Sequence, residues 1–300
     1  MIKFFASLFG YAVNFIYSLI GNYGVAIIIF SILLKLLQLP LSIKQQRSMK
    51  KTEKIQKELA VIKEKNKNNP EKLNQEMMAL YKRENMSPFS GCFSGIVQII
   101  LILAMFSLVR NPLTYMLKIP NEKINIITQY IKEEEKEQIS ATYPQISILK
   151  YVNNKNENIE IKQEEKIEEL NINEMKINMN FVGLDLSDIP QQNSNNWKVF
   201  IIPVLYVISS IISLKLTTNK KKENKAEEIK EEKLEDESDM AKQMTKSMGL
   251  TMPILAVSVS LIAPLGLALY WLTNNILMIF ERIAINRFFI DKEEEENKNA

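Results

Sequence analysis

The feature that most constrains this chain is a long apolar segment with a lysine inside it. From Val25 to Leu39 every residue is apolar, apart from Ser31, Lys35 and Gln38. With a rise of about 1.5 Å per residue, a helix of this length crosses most of a hydrocarbon core about 30 Å thick. The sequence therefore predicts a membrane span at residues 23–43 that carries a cation.

Lys35 has two possible interpretations. Charged side chains are costly at membrane depth, so they commonly face a bundle interior or a wet cavity and mark functional sites. Alternatively, Lys35 extends its ammonium toward the cytoplasmic headgroups. The next cation, Lys44, lies nine residues further on, which is about 13 Å along the helix axis. A lysine side chain does not fully cover that distance, so we favour the interior site.

Composition excludes several classes of function. The 300 residues include no His and a single Cys, Cys92. His-based catalysis, His metal sites, internal disulfides and cysteine clusters for zinc or iron–sulfur are therefore excluded. The chain also lacks a Walker loop and the GxGxxG and GxSxG motifs. We expect no catalytic residue, no metal site and no cofactor, and we do not expect an enzyme.

Long apolar runs alternate with stretches rich in Lys, Glu and Asn, which is typical of a polytopic membrane protein. The predicted fold is all-α, a bundle of five spans at residues 23–43, 89–109, 199–216, 247–263 and 265–285. Polar residues inside the later spans are informative because they need a partner helix or water. Gln98 could bridge two helices or contact a ligand, and Asn274 and Asn275 are adjacent in the fifth span.

The N-terminal segment, residues 1–21, predicts an amphipathic helix in the membrane interface. Its polar side consists of Lys3, Ser7, Asn14 and Ser18, and its apolar side of Phe4, Phe5, Leu8, Phe15, Ile16 and Leu19. The alternative is a signal peptide. No small-residue cleavage site follows the apolar run, which favours the interfacial helix.

Residues 44–87 predict a basic helical hairpin on the cytoplasmic side. Twelve Lys or Arg residues are offset by only six Glu residues, and an excess of cations beside spans marks cytoplasmic loops. Asn69 can cap a second helix that begins at Pro70. This charge could bind anionic lipid or RNA, although a solvated face retained inside the cell explains most of it.

The remaining loops follow from the alternation of spans. Residues 110–196 carry ten basic and fourteen acidic residues, a net charge of −4, and are predicted to form a small external subdomain with a possible strand near Ile177, Met179 and Phe181. The charged loop 217–246 and the acidic tail 286–300 are predicted to be cytoplasmic. Four methionines at intervals of four begin near the end of that loop and are interpreted mainly as packing residues: Met240, Met244, Met248 and Met252.

Four stretches, in order, resemble motifs of the YidC/Oxa/Alb insertase family. They are GNYGVAIIIFSILLKLLQLPLSIKQ at 21–45, NMSPFSGCFSGIVQI at 85–99, NFVGLDLSDIP at 180–190 and PLGLALYWLTNN at 264–275. They are similar to the first core span, the start of the second, the approach to the third and the fifth-span motif. Each is weak alone, but four in register are specific.

The resemblance implies a hydrophilic groove, closed outside, that inserts nascent membrane proteins alone or beside the Sec translocon. The groove cation carries over to Lys35, where most bacterial members have Arg. Lysine keeps the positive charge of arginine but lacks the planar guanidinium, which can donate two parallel hydrogen bonds to one carboxylate. Further groove positions fall on Ser31, Gln98, Tyr270, Trp271, Asn274 and Asn275.

The resemblance also implies the setting in which the chain works. We expect a multi-pass protein of the bacterial plasma membrane with its N-terminus outside and its C-terminus in the cytoplasm. No large folded domain and no lipobox cysteine precede the first core span, which is the pattern of a short member. Expected partners are nascent membrane proteins, the Sec translocon, anionic lipids and the ribosome, through cytoplasmic basic regions; DNA is not expected.

Two other functions fit part of the pattern. A small transporter or channel could use Lys35 and the asparagines as a solute site, but no internal repeat is visible and five spans do not divide into two halves. A passive membrane anchor would need neither Lys35 nor the paired asparagines.

The predicted topology can be tested by cysteine labelling in intact cells. Cys92 is the only cysteine, so a Cys92→Ser background isolates each new label. Externally added reagent should reach cysteines placed at Asn125 and Glu160 but not at Lys50 or Lys225. Labelling at position 50 would contradict the proposed orientation.

Overall fold

The computed structural model describes residues 1–85, 90–133, 135–136, 138–155, 159–163, 166–170, 172–223 and 258–290. Helices dominate this part of the chain. They are α1 (Ile2–Ile20), α2 (Tyr23–Lys65), α3 (Pro70–Arg83), α4 (Ser90–Arg110), α5 (Pro112–Tyr115), α6 (Asn121–Glu133), α7 (Pro144–Asn154), α8 (Ile201–Glu223) and α9 (Leu265–Ile285). The predicted helical class is confirmed.

Strands are confined to two antiparallel pairs in the described residues. β1 (Ile159–Gln163) pairs with β2 (Lys166–Leu170), and β3 (Asn180–Phe181) pairs with β4 (Leu184–Asp185). The strand predicted around residues 177–181 is therefore only two residues long. Val182 and Gly183 form its turn with φ of 52° and 76°, and positive φ at both central residues is the hairpin geometry that matches strand twist.

Two of the described helical segments are long and apolar enough to cross a membrane, namely Ile2–Ile20 and Tyr23–Lys51, and shorter apolar helices occur at Ile96–Arg110 and Trp197–Ser213. Of the predicted fourth span, residues 247–257 lie outside the described residues and residues 258–262 are helical. The four methionines at 240–252 also lie outside the described residues. The described part is that of an all-α membrane protein.

The chain divides into two compact units. Among the described residues, the first unit holds residues 1–33, those of 100–216, and 258–276. The second holds residues 34–85, 90–99, 217–223 and 277–290.

In the first unit, α1 packs through a face of small and apolar residues. Its buried residues are Ala6, Phe9, Gly10, Val13 and Ile16. Sequence analysis grouped Ile16 with Phe4, Leu8, Phe15 and Leu19 on one apolar side, but Ile16 is only 7% exposed and belongs to the packed face. A second apolar row, Phe4, Leu8, Phe15 and Leu19, is exposed, so α1 is apolar on two sides rather than one.

The segment 178–191 satisfies backbone donors where two apolar helices begin. The N–H of Tyr23, at the start of α2, donates to the Asn178 carbonyl at 3.1 Å. At the start of α9, Leu265 donates to Asp188 at 2.8 Å and Gly266 to Leu186 at 2.9 Å. The first N–H groups of a helix have no partner within it, so this segment fixes the starts of α2 and α9.

In the second unit, α2 and α3 form a helical hairpin. The Asn69 side chain accepts a hydrogen bond from the Lys72 N–H at 3.0 Å, and Pro70 is the first helical residue. An apolar cluster joins the two helices: Ile55, Leu59 and Leu80, with Ile62, Met77 and Tyr81 packed against it. α2 continues through Pro40, so no break separates residues 23–43 from the hairpin.

Two glycines of the first unit lie where a methyl group has no room. A Cβ at Gly10 would be 1.8 Å from the Tyr115 carbonyl oxygen, and one at Gly24 would be 2.6 Å from the Phe181 ring. At Gly266 the nearest atom, on Tyr23, would be 3.4 Å away, which is ordinary contact. The packing of α1 on α5 and of Phe181 on α2 therefore depends on glycine.

We expect Gly10→Ala to destabilise the protein by about 1–3 kcal/mol, because backbone has to move to admit the methyl group. Thermal unfolding of the purified protein in detergent measures the effect. Gly266→Ala is the matched control and should unfold close to the parent temperature. Equal stability of the two variants would contradict the close packing at Gly10.

Candidate functional site: polar residues of the apolar helices

Lys35 is paired within the second unit. Its Nζ lies 3.0 Å from the Oε2 atom of Glu281 on α9, and the two side chains are only 14% and 12% exposed. Charges so far from water are tolerated when an opposite charge compensates them. The predicted groove cation is therefore an ion pair rather than a lone charge.

Sequence reasoning missed Glu281. It is the only acidic residue of α9, and an acidic residue within an apolar span is a candidate functional residue by the same rule that singled out Lys35. Its neighbour Arg282 concealed that signal, since it suggested the cytoplasmic end of the helix. Only the fold assigns Glu281 to Lys35, because their sequence separation of 246 residues carries no pairing information.

Asn275 is at the centre of a buried polar cluster in the first unit. Its Nδ2 donates to the Ser209 Oγ at 2.8 Å and lies 3.1 Å from the Ser210 Oγ, both on α8. All three residues are less than 10% exposed. Hydrogen bonds of this kind link helices in a membrane, where an unsatisfied amide would be costly.

Four residues before Ser210 and Asn275, an aromatic contact extends the contact between α8 and α9, which we call the α8–α9 seam. The rings of Tyr206 on α8 and Trp271 on α9 lie 6.3 Å apart. Because Tyr206 precedes Ser210 and Trp271 precedes Asn275, both helices advance in the same direction along their contact. α8 and α9 are therefore parallel neighbours.

The other predicted residues have separate environments. The Ser31 hydroxyl donates to the Ile27 carbonyl of its own helix at 2.7 Å and is buried, so it is satisfied locally. Tyr270 is 2% exposed. Asn274 and Gln98 are half-buried and have no hydrogen bond within the part of the chain that the structure describes.

The predicted residues fall in both units. Lys35 and Gln98 belong to the second, whereas Ser31, Tyr270, Trp271, Asn274 and Asn275 belong to the first. Within the first unit, none of the five is hydrogen-bonded to another. Chemically, the second unit offers a buried cation with its counter-ion, and the first offers a neutral hydrogen-bonded seam.

Comparison with known proteins gives the family. A sequence model described as 60Kd inner membrane protein matches residues 15–293 of the chain. The chain belongs to the 60Kd inner membrane protein family. The resemblance to the YidC/Oxa/Alb family, drawn above from four motifs, is thereby confirmed.

Individual members of the 60Kd inner membrane protein family are similar to this chain over about a third of its length. The membrane protein insertase YidC of Rickettsia prowazekii is 43% identical over 96 residues, which is 32% of this chain and 17% of the relative. That of Rickettsia felis is 44% identical over the same lengths. That of Caldanaerobacter subterraneus subsp. tengcongensis is 38% identical over 102 residues, 34% of this chain and 50% of the relative.

The two adjacent asparagines provide a matched test of the seam. We expect Asn275→Ala to lower the free energy of unfolding by about 1–2 kcal/mol, because the serine hydroxyls lose a buried partner. Asn274→Ala, at the neighbouring half-buried position, should have a smaller effect. Thermal unfolding in detergent compares them, and an equal loss in both variants would argue against the α8–α9 hydrogen bonds.

Proposed function

We propose that this chain inserts nascent membrane proteins into the lipid bilayer and helps them to fold. The observation that carries the proposal is the family match over residues 15–293, together with a buried cation, Lys35, in an apolar helix of that region. The relatives described above have the printed name membrane protein insertase. The proposal includes no catalytic step, in keeping with a sequence that lacks His and a phosphate loop.

A cation at membrane depth accounts for the first physical step. It attracts the acidic residues of a substrate's external tail, and this attraction is stronger near apolar surroundings than in bulk water. The apolar part of the substrate then partitions into lipid, which releases about 25 cal/mol per Å² of surface removed from water. No nucleotide is needed, since partitioning itself drives the reaction.

We further propose that Lys35 lies in a hydrophilic groove and that the half-buried Gln98, Trp271 and Asn274 contact the passing substrate. Ser31, Tyr270 and Asn275 are buried, and we propose that they contribute to packing within their own unit. The parallel course of α8 and α9 supports a topology in which the third and fifth spans cross the membrane in the same direction. We propose that this direction is toward the cytoplasm and that the N-terminus lies outside. The half-buried amides of Gln98 and Asn274 support contact with a polar chain. In this scheme the protein acts alone or beside the Sec translocon.

The basic hairpin at residues 44–87 is the proposed contact for ribosomes and anionic lipids. Its cations lie beside the first span, and such segments are attracted to negative lipid surfaces by about 1 kcal/mol per Lys or Arg. Its helices are joined by their own apolar cluster, and the lysines Lys63, Lys65 and Lys72 are exposed at its surface.

Reconstitution tests the function. The purified protein in liposomes should insert a substrate with one span and a short acidic tail, without ATP or Sec components, as measured by protease protection of the tail. Lys35→Ala should slow insertion of that substrate about fivefold, which corresponds to a lost attraction of about 1 kcal/mol. Insertion of a more hydrophobic substrate should be largely unchanged.

Lys35→Arg is the matched control because it keeps the charge, and it should keep the preference for acidic tails. If no substrate inserts and the liposomes instead show saturable flux of a small solute, the transporter function is the better one. If alanine equals lysine for every substrate, Lys35 is not the groove cation.

A further inference from the structure

The Lys35–Glu281 pair is incompletely satisfied. The Oε2 atom of Glu281 accepts the bond from Lys35 at 3.0 Å. The Oε1 atom of the same carboxylate is also buried, yet it has no hydrogen-bond partner in the described chain. Both side chains belong to the second unit, so this pairing is part of one compact body.

A half-satisfied buried carboxylate has energetic consequences. Each ion loses its hydration when it is buried, and only good geometry with further hydrogen bonds compensates that loss. A buried acceptor without a donor is destabilising relative to a paired one. Glu281 therefore holds Lys35 less firmly than a fully bonded carboxylate would, and a competing carboxylate can replace it.

We propose that Glu281 is the resting counter-ion of Lys35 and a specificity-determining residue for acidic substrates. This inference rests on the proposed insertase function. A substrate carboxylate binds Lys35 by exchange: it forms the ion pair that Glu281 gives up, and Glu281 turns toward water. Lys35 can bind a substrate carboxylate only in the fraction of molecules in which its pair with Glu281 is broken. Glu281 therefore lowers the apparent affinity of Lys35 for acidic tails by that fraction.

Exchange also explains why a permanent cation in this position need not bind every anion. A substrate tail with one carboxylate has to compete with the Glu281 carboxylate, which is already held beside the Lys35 ammonium. A tail with several acidic residues has a higher local concentration of competitors and succeeds more often. Glu281 thus favours strongly acidic tails over weakly acidic ones.

The test compares two substrates that share one span and differ only in tail residues, Asp in one and Asn in the other. Insertion into proteoliposomes gives an acidic-to-neutral ratio for each variant. The comparison is made between the parent and Glu281→Gln, and Lys35→Arg/Glu281→Gln is added because a guanidinium stays protonated whatever its partner. We expect the ratio to rise about threefold or more when Glu281 is neutralised.

Glu58 provides the matched control. It belongs to the same unit and pairs with Arg83, but both side chains are more than half exposed. Glu58→Gln should leave the ratio unchanged, since an exposed pair contributes little. In Lys35→Gln/Glu281→Gln, which removes both charges, the ratio should fall to about one while neutral substrate still inserts.

Several outcomes overturn the inference. If the Glu281→Gln variant inserts both substrates less well by the same factor, Glu281 only holds α9 in place. If that variant does not fold, Glu281→Asp shortens the side chain and weakens the pair; a higher ratio supports exchange and an unchanged ratio contradicts it. If the parent inserts neither substrate, the proposed function itself fails, which is distinct from a parent that inserts both with an unaltered ratio.

Discussion

The structure depends on one constraint, which is that polar groups inside apolar helices need partners. Lys35 meets it with Glu281, and Asn275 meets it with two serines of α8. Each solution joins residues that are far apart in the chain. The positions of the helices in each unit are therefore tied to a few polar contacts, because surrounding lipid would supply no substitute for them.

The segment 178–191 also organises the first unit, because its carbonyl groups accept hydrogen bonds from the first N–H groups of α2 and α9. Two of the four family-like motifs, NFVGLDLSDIP and the PLG start of α9, meet in the hydrogen bonds at α9. The motif at the start of α2 also reaches NFVGLDLSDIP, because the Asn22 side chain donates to the Asn180 carbonyl at 2.7 Å. Their resemblance to the family is thus partly a resemblance of backbone geometry. This resemblance does not by itself show that the residues following these motifs contact a substrate.

Much of the fold was readable from local patterns. The bounds of α9 coincide with the predicted fifth span, and Asn69 and Pro70 begin α3 as their cap and first-turn chemistry predicts. Ile16 was grouped with apolar residues of α1 that the structure leaves exposed, because a helix that is apolar on two sides gives no signal for which side meets protein. Residues 180–185 pair over only two residues per strand, which a period of two cannot reveal.

The sequence by itself determined the helical class, the family and the presence of a cation within an apolar span, because hydropathy, helix caps and motifs are local properties of the chain. Only the tertiary structure decided the partners: Glu281 for Lys35, the serines for Asn275, and the backbone of Tyr115 against Gly10. These pairings depend on how helices pack over separations of 65 to 246 residues in the polar pairs. Packing of that kind leaves no periodic pattern in one sequence.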